Sequence, residues 1–489
     1  MNYRLLARYL GLFSIALGLL MLPSAAWAVY FREWHSLRAL ISASAVSALF
    51  GGLLALVGGR PRRSIGQQDA LGLVGLSWLL LVGLGALPYL FDGIFGPIDA
   101  YFESMSGFTT TGSTVLTNIE AAPRSILFWR SFTHWLGGMG VVVLFIAVLP
   151  FIGAGGKMLF RHESPGPDPH GLRPRIKDTA SILWKIYLGF TVAETSALML
   201  AGLSFFDALT QTFATLATGG FSTRQASIAG FDSLAVEIII MVFMTAAGLN
   251  FTLYFALIRK RWSAFLKDTE WRVYLFILAA AIIAVTVNLH RPHGATHVVS
   301  YPGIGSALRH ASFQVISIMT TTGFITTDFD LWPDFSRLLL VLLMFVGACA
   351  GSTGGGIKVV RIVVLLKMAY LRLESTFRPK NVRVVRVAGV VVEEGLQRTI
   401  YAFFVLYIAV FVCATLFIAY LGLSFETAVS SVAATLNNIG PGLEVVGAVR
   451  DYNAVPPVGK LVLSLCMVLG RLELFSILVL FIPSFWRRA

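Results

Sequence analysis

The chain has 489 residues, of which 56% are hydrophobic and 13% are charged, and its formal net charge is +13. So apolar a composition excludes an ordinary soluble domain and a disordered chain. The positive charge could suit nucleic acid, but the basic residues gather in alternate loops between long apolar runs. Membrane orientation accounts for that distribution, so we do not expect nucleic-acid binding.

Ten apolar runs are each close to the ~20 residues that cross a bilayer as a helix. They predict an all-α polytopic membrane protein, with spans at about 10–29, 39–57, 71–91, 126–151, 182–203, 235–258, 273–289, 338–368, 400–421 and 461–482. Basic residues at 4–8, 60–63, 157–177, 259–261, 372–386 and 487–488 fall on one side of these spans. The positive-inside rule makes that side cytoplasmic and places both termini there.

The first 28 residues imitate a secretory signal, because Arg4 and Arg8 precede an apolar run that ends in Ala26-Trp27-Ala28. A second span follows after a short loop, and the charge rule works best if the first span stays. We expect a retained helix. Three cysteines, Cys349, Cys413 and Cys466, lie in apolar runs, where they are expected to pack and not to form a disulfide framework.

One short pattern occurs four times: an apolar segment that runs into a small-residue turn ending in glycine. The closing glycines are 108, 103 and 117 residues apart (220−112, 323−220 and 440−323), and the copies are 106–112, 214–220, 317–323 and 434–440. Such a repeat predicts four copies of one unit around a common axis. Each copy has only about a dozen residues before its turn, too few to cross a bilayer, so each segment should re-enter on the same side.

This repeat divides the chain into a leading transmembrane helix pair, residues 1–65, and four pseudo-symmetric units. Each unit consists of a helix, a re-entrant helix and a second helix. The units are 66–160, 178–262, 270–372 and 396–489. The third unit contains an intramembrane loop at 346–356. Two basic cytoplasmic stretches, 153–177 and 372–398, are candidate docking surfaces for a soluble partner. The alternative is that their charge only fixes the topology.

The turns carry the chemistry of a cation site, because crowded backbone carbonyls can replace the water shell of a potassium ion. Glycine keeps side chains out of the narrowest point, and a helix C-terminus facing the turn adds partial negative charge. The expected lining, which relies on carbonyls and threonine hydroxyls, is Thr109, Thr110, Thr111, Gly112, Ala217, Thr218, Gly219, Gly220, Thr320, Thr321, Thr322, Gly323, Asn437, Asn438, Ile439 and Gly440. It contains no carboxylate or basic group, which favours a monovalent cation over calcium or an anion.

The eighth span is too long and is interrupted by a glycine-rich string. We predict a mobile gating loop beneath the turns, formed by Gly351, Ser352, Thr353, Gly354, Gly355 and Gly356. Close helix packing is the alternative. The string also resembles a phosphate-binding loop, but Ile357 separates glycine from lysine and no soluble strand precedes it, so we expect no catalysis.

Two basic residues belong to the same hypothesis. Arg471 lies within the tenth span, where a buried arginine usually faces a cavity or a partner. We expect it beneath the turns, repelling or timing cations; the alternative is an ion pair with Glu473, Glu194 or Glu237. Lys358 could act similarly or could only extend its amine to the interface. Glu103, in the first re-entrant segment, could enrich cations at the mouth or could serve capping or packing.

At these residues the chain resembles the Trk/Ktr/HKT potassium transporter superfamily. The motifs are Phe102-Glu-Ser-Met-Ser-Gly-Phe-Thr-Thr-Thr-Gly112, His134-Trp-Leu-Gly-Gly-Met-Gly140, Gly347-Ala-Cys-Ala-Gly-Ser-Thr-Gly-Gly-Gly-Ile-Lys358 and Gly470-Arg471. The leading helix pair is similar to the TrkH/TrkG branch. The resemblance implies one central pore per chain, potassium (K+) uptake across the bacterial inner membrane, and a homodimer on a cytoplasmic TrkA-like nucleotide-binding regulatory ring. The fourth turn departs from the Thr-Thr-Thr-Gly form.

A secondary transporter, a symport mechanism that couples potassium to protons or sodium, remains the alternative function. Such proteins use broken helices and membrane carboxylates, for which Glu194, Glu237 and Glu473 are candidates. Against it, transporters of that kind usually show paired inverted halves, whereas this repeat is fourfold.

Overall fold

The computed structural model describes residues 1–59, 66–148, 176–260, 262–291, 299–378 and 383–486. The proposed docking stretch 153–177 lies outside these ranges except for its last two residues, as does the end of the fourth predicted span. The helices of the described residues are Tyr3–Leu20, Leu22–Tyr30, Trp34–Gly58, Gln67–Gly85, Leu87–Phe91, Pro97–Phe108, Arg124–Val148, Ile176–Leu200, Phe205–Leu216, Leu234–Ala247, Phe251–Ile258, Trp262–Lys267, Thr269–His290, Ile304–Met319, Asp334–Met344, Val359–Phe377, Glu394–Tyr420, Phe425–Leu436, Pro457–Arg471, Phe475–Leu478 and Pro483–Trp486.

Short elements complete the described chain. Single turns of 3-10 helix are Ser227–Phe231, Phe329–Leu331, Glu444–Val446 and Val479–Phe481. Strands Arg386–Val387 and Val390–Val391 pair antiparallel in a small hairpin within the basic stretch 372–398. The fold is therefore all-α apart from this hairpin, as the apolar runs predicted.

Each predicted span coincides with a helix or with successive helices. Within the described residues, five helices are long and apolar enough to cross a membrane singly, and bent pairs raise the number to seven if each pair counts as one span. The bent pairs are Leu234–Ala247 with Phe251–Ile258, at 94°, and Pro457–Arg471 with Phe475–Phe481, at 118°. The sequence analysis did not foresee either bend, whereas the break in the eighth span is where the glycine string placed it.

Four short helices each end immediately before one of the glycine turns; we call them the turn helices. They are Pro97–Phe108, Phe205–Leu216, Ile304–Met319 and Phe425–Leu436. Ser204 and Ser424 accept hydrogen bonds from the backbone N–H groups of Asp207 and Thr427, so both begin their helices as side-chain caps. In chain order, each turn helix lies between the first and last helices of its predicted unit.

The leading helix pair packs through small residues. A Cβ atom added to Gly51 would lie 2.5 Å from the carbonyl oxygen of Gly11, and one added to Gly11 would lie 2.5 Å from that of Gly51. Only glycine permits this close backbone approach. The pair is fixed to the first unit by Glu33, whose carboxylate accepts the backbone N–H groups of Arg124 at 2.8 Å and Ser125 at 3.0 Å.

Adjacent glycines in this pair give a matched test. We expect Gly51→Ala to lower the free energy of unfolding in detergent, because its Cβ would collide with backbone of the facing helix. Gly52→Ala is the control, since nothing lies within 4 Å of a Cβ there. Alanine is a better helix former than glycine by about 1 kcal/mol, so the control should be neutral or stabilising. Equal effects of the two substitutions would contradict the packing.

Candidate functional site

The four turns share one backbone conformation. The second residue of each turn has a positive φ although it is not glycine: 52° at Thr110, 55° at Thr218, 59° at Thr321 and 57° at Asn438. The closing glycines follow at 86°, 79°, 77° and 105°. Positive φ is uncommon outside glycine, so its recurrence at four equivalent positions identifies one repeated geometry and not a chance likeness of sequence.

Each turn is fastened to the end of its own helix by the same hydrogen bond. The backbone N–H of the residue before the closing glycine reaches the carbonyl oxygen five positions earlier. The bonds are Thr111 to Ser106 (2.9 Å), Gly219 to Ala214 (2.8 Å), Thr322 to Ser317 (2.9 Å) and Ile439 to Ala434 (2.8 Å). These bonds close the helix ends in the manner of a C-terminal cap, which holds the turns in position.

The turns contact one another in a closed ring. A Cβ on Gly112 would lie 2.1 Å from the oxygen of Gly219, the residue before the closing glycine of the next unit. The same relation holds around the ring: Gly220 to Thr322 oxygen (2.1 Å), Gly323 to Ile439 oxygen (1.8 Å) and Gly440 to Thr111 oxygen (2.7 Å). The fourth unit thus returns to the first. All sixteen residues predicted for the lining belong to these four adjoining turns.

Threonine side chains in the first and third turns bond within their own unit. Thr109 donates to the Met105 oxygen at 2.6 Å and its hydroxyl lies 2.8 Å from that of Thr111. In the third turn, Thr320 donates to the Ile316 oxygen at 2.7 Å and lies 2.9 Å from Thr322. These hydroxyls are held within their own unit, because threonine at a helix end bonds back to the preceding turn; their share in ion binding stays a prediction.

In the fourth turn, asparagine side-chain amides form bonds that fix the turn, as threonine hydroxyls do in the first and third turns. The Asn437 amide donates to the Ala433 oxygen at 2.8 Å. The Asn438 amide donates to the Thr111 hydroxyl of the first turn and to the Met467 oxygen, both at 2.9 Å. The departure from the Thr-Thr-Thr-Gly form therefore keeps the backbone geometry and adds a link between the fourth and first units.

A buried ion pair lies behind the first turn. Arg130 Nε donates to Glu103 at 2.7 Å, and the two side chains are 1% and 0% exposed. Glu103 also accepts the backbone N–H of Val115 at 2.9 Å, and so anchors the chain just after the turn. These contacts favour the packing alternative for Glu103 over a role at the mouth.

An aromatic stack continues from this pair to the second turn. The Arg130 guanidinium lies 4.1 Å from the centroid of the Phe221 ring. The His134 ring stacks on Phe221 with a centroid distance of 4.1 Å. A Cβ on Gly219 would lie only 2.3 Å from His134 Nδ1, so the histidine ring rests on the backbone of the second turn.

The sequence analysis overlooked Arg130 and Phe221. Arg130 was visible as a charge inside an apolar run, the same signal that drew attention to Arg471. The sequence does not indicate that Arg130 forms an ion pair with Glu103, because 27 positions separate the two residues. Phe221 follows a closing glycine and carries no charge, so its place against the arginine and histidine depends on the tertiary structure.

The glycine-rich loop lies against the C-terminal ends of three turn helices. The Thr353 hydroxyl donates to the Leu216 oxygen at 2.9 Å, and the Gly355 N–H donates to the Thr321 hydroxyl at 2.7 Å. A Cβ on Gly355 would lie 2.3 Å from the Asn437 oxygen. The loop residues and the turns are thus adjacent in space, and the glycines allow contact that larger residues would prevent.

Both basic residues bind this loop. The buried Arg471 guanidinium donates to the Thr353 oxygen at 2.5 Å and to the Gly137 oxygen at 3.3 Å, which links the fourth unit, the loop and the first unit. The Lys358 ammonium donates to the Gly354 oxygen. This contact favours a role for Lys358 at the site, and not a simple extension of its amine to the membrane interface.

The ion-pair alternative for Arg471 is wrong. Glu473 pairs with Arg361 at 2.6 Å, and Glu237 pairs with Arg309 at 2.7 Å. Glu194 is fully buried in the first helix of the second unit. Over the described part of the chain, no carboxylate lies within ion-pair distance of Arg471.

Comparison with known proteins defines the class. Residues 39–488 match the family model described as TrkH, cation transport protein. The chain is 40% identical over 494 residues to the Trk system potassium uptake protein TrkH of Halomonas elongata, and 38% identical over 493 residues to TrkH of Escherichia coli K12, each comparison covering 100% of both chains. The fold and these relatives define a multi-pass membrane transport protein and not an enzyme.

A solved structure agrees over the whole chain. The crystal structure of the potassium transporter TrkH from Vibrio parahaemolyticus superimposes with a TM-score of 0.90 at 37% identity, covering 100% of each chain. The chain therefore belongs to the TrkH family of cation transport proteins, within the superfamily that its motifs resemble.

The buried Glu103–Arg130 pair is testable. We expect Glu103→Gln to lower the free energy of unfolding by about 3 kcal/mol, because it leaves the Arg130 charge buried and unpaired. Glu120→Gln is the control, since Glu120 is exposed and accepts only the Gln225 backbone N–H at 2.8 Å among the bonds of the described residues. Chemical or thermal unfolding in detergent measures both. Equal losses would show that the pair is unimportant.

Proposed function

We propose that the ring of four turns is a potassium selectivity filter and that the chain conducts K+ into the cell across the bacterial inner membrane. The observation that carries this proposal is the closed glycine-to-carbonyl ring. It gathers backbone oxygens from Thr111, Gly219, Thr322 and Ile439 in one place. Carbonyl dipoles without net charge hold a dehydrated potassium ion while still allowing it to leave.

Helix ends would add to the attraction. The four turn helices all end at the ring, and each C-terminus contributes a partial negative charge of about half an electron. Thr109 and Thr320 donate to carbonyl oxygens of their own helices, so backbone oxygens of the turns would be the main groups that bind the ion. The names of the relatives as potassium uptake proteins support potassium as the transported ion.

The glycine-rich loop would then be the gate. It lies beside the turns and is held by Arg471 and Lys358, so a conducting state requires it to move. Arg471 also places a positive charge at the loop, which opposes cation entry. Gly351, Ser352, Thr353, Gly354, Gly355 and Gly356 are the residues that would move.

Control would come from outside the chain. We propose a homodimer that docks through its cytoplasmic face on a TrkA-like nucleotide-binding ring, with both termini on that side. The helix Val359–Phe377 leads from the loop into the basic stretch 372–398, where the hairpin Arg386–Val387 and Val390–Val391 lies. A force on this stretch would reach the loop directly along one helix. The printed names of the relatives, which refer to a Trk system, agree with more than one component.

Coupled transport is the second candidate function. The observation that favours it is Glu194, which is fully buried and forms no ion pair within the described residues. A proton-coupled or sodium-coupled carrier could use such a carboxyl group. Currents through the reconstituted chain separate the two: a channel reverses at the potassium equilibrium potential and ignores a pH gradient, whereas a coupled carrier does not.

Growth of a potassium-uptake-deficient bacterium at low external potassium tests the filter. The chain should restore growth, and Gly112→Ser should lose potassium-over-sodium discrimination because its Cβ would collide with the Gly219 oxygen at 2.1 Å. Gly93→Ser is the matched control: Gly93 also has positive φ, 76°, but a Cβ there meets nothing within 4 Å. If both variants behave alike, backbone strain and not the ring contact explains the loss.

The gate has a separate test. Deleting 350–355 should raise basal potassium flux into vesicles that contain the full chain without its partner, because the segment that obstructs the path is removed. Unchanged flux from a deletion variant that folds normally would end the gating proposal without touching the filter.

A further inference from the structure

Glu270 holds both ends of the glycine-rich loop. It lies in the first turn of the helix Thr269–His290, outside the loop itself. One oxygen of its carboxylate, Oε1, accepts the backbone N–H of Ala350 at 2.8 Å and that of Val360 at 3.0 Å. Ala350 lies on the chain entering the glycine string and Val360 on the chain leaving it, so a single carboxylate joins the two sides.

Three bonds between backbone groups also lie at the base of the loop. Gly347 N–H donates to the Ile357 oxygen at 2.9 Å, Cys349 N–H to the Gly248 oxygen at 3.0 Å, and Phe251 N–H to the Gly351 oxygen at 3.1 Å. Glu270 thus adds two bonds from one side chain at the position where opening would have to separate the loop from the third unit.

An ordinary capping role does not account for Glu270. The cap of its helix is Asp268, whose side chain accepts the Trp271 N–H at 2.9 Å. A first-turn glutamate in the fourth unit, Glu394, is by contrast exposed and approaches only Arg398, at 3.5 Å. The inward-facing carboxylate of Glu270 thus accompanies the glycine-rich loop and does more than begin a helix.

We propose that Glu270 is the latch of the glycine-rich loop: a positioning residue that keeps the loop across the ion path until the cytoplasmic partner breaks its two hydrogen bonds. The inference rests on the proposed gating function and adds a residue outside the loop to it. The chain contacts the loop at Gly248, whose carbonyl oxygen accepts the Cys349 N–H, and again at Glu270. The short helix Trp262–Lys267 lies in the cytoplasmic connection between these two contacts. A movement of this connection would therefore pull on both contacts at once.

The first test is basal rubidium or potassium flux into vesicles containing the full chain without its partner. Glu270→Ala should raise flux by about ten-fold to one-hundred-fold, the factor expected when buried N–H groups are left without their acceptor. Glu270→Gln keeps a neutral acceptor and a similar shape, so it should fold well and give a smaller rise. Glu394→Gln, which changes an exposed first-turn glutamate of the fourth unit, should leave flux unchanged.

A second readout follows the loop itself. Cys349 lies in the loop beside Ala350 and is 1% exposed. In Glu270→Ala and Glu270→Gln it should react faster with a thiol reagent supplied from the cytoplasmic side, with Cys349→Ser as the blank. Potassium-over-sodium selectivity should stay at the wild-type value, since the ring of turns is not altered.

The outcomes separate the two proposals. Unchanged flux and unchanged Cys349 reactivity in both Glu270 variants would overturn the latch, even if deleting 350–355 raises flux. A rise in flux accompanied by lost selectivity would also overturn it, because the variant would then have disturbed the filter. If the deletion leaves flux unchanged, the gating function itself fails, and with it the latch.

Discussion

Contact between each closing glycine and the carbonyl of the next unit is the constraint on which the rest of the structure depends. Four backbones can approach this closely only if none carries a side chain at the contact, and the approaches of 2.1, 2.1, 1.8 and 2.7 Å to an added Cβ leave no room for one. The ring is closed within a single chain, so the four units must be held in register by what surrounds them. The contacts that surround the turns keep the four units in register.

Those contacts differ between units although the ring is nearly symmetric. Behind the first two turns, Glu103, Arg130, Phe221 and His134 form one continuous series of charged and aromatic contacts. The fourth turn uses asparagine amides that reach the first turn, and the third carries the glycine-rich loop. Equivalent backbones are therefore supported by unlike side chains.

Much of the architecture was predictable because it depends on local patterns. Apolar runs of membrane length and a glycine repeat are properties of neighbouring residues, and the helices, turns and loop break followed from them. The bends at Gly248–Asn250 and Leu472–Leu474 were not foreseen, although Asn250 and Glu473 interrupt the apolar runs there. The latch position of Glu270 also escaped notice, since its partners are 80 and 90 positions away. The bonds of Thr109 and Thr320 to helix carbonyls were not foreseen either, because they depend on the backbone geometry at the helix ends.

The most direct measurement of the central claim is a crystallographic map of the protein grown or soaked in rubidium or thallium, which substitute for potassium and scatter anomalously. The account predicts an anomalous peak on the axis, surrounded by the carbonyl oxygens of Thr111, Gly219, Thr322 and Ile439. Peaks confined to the outer surface, or an axis without density while ions bind elsewhere in the chain, would contradict it.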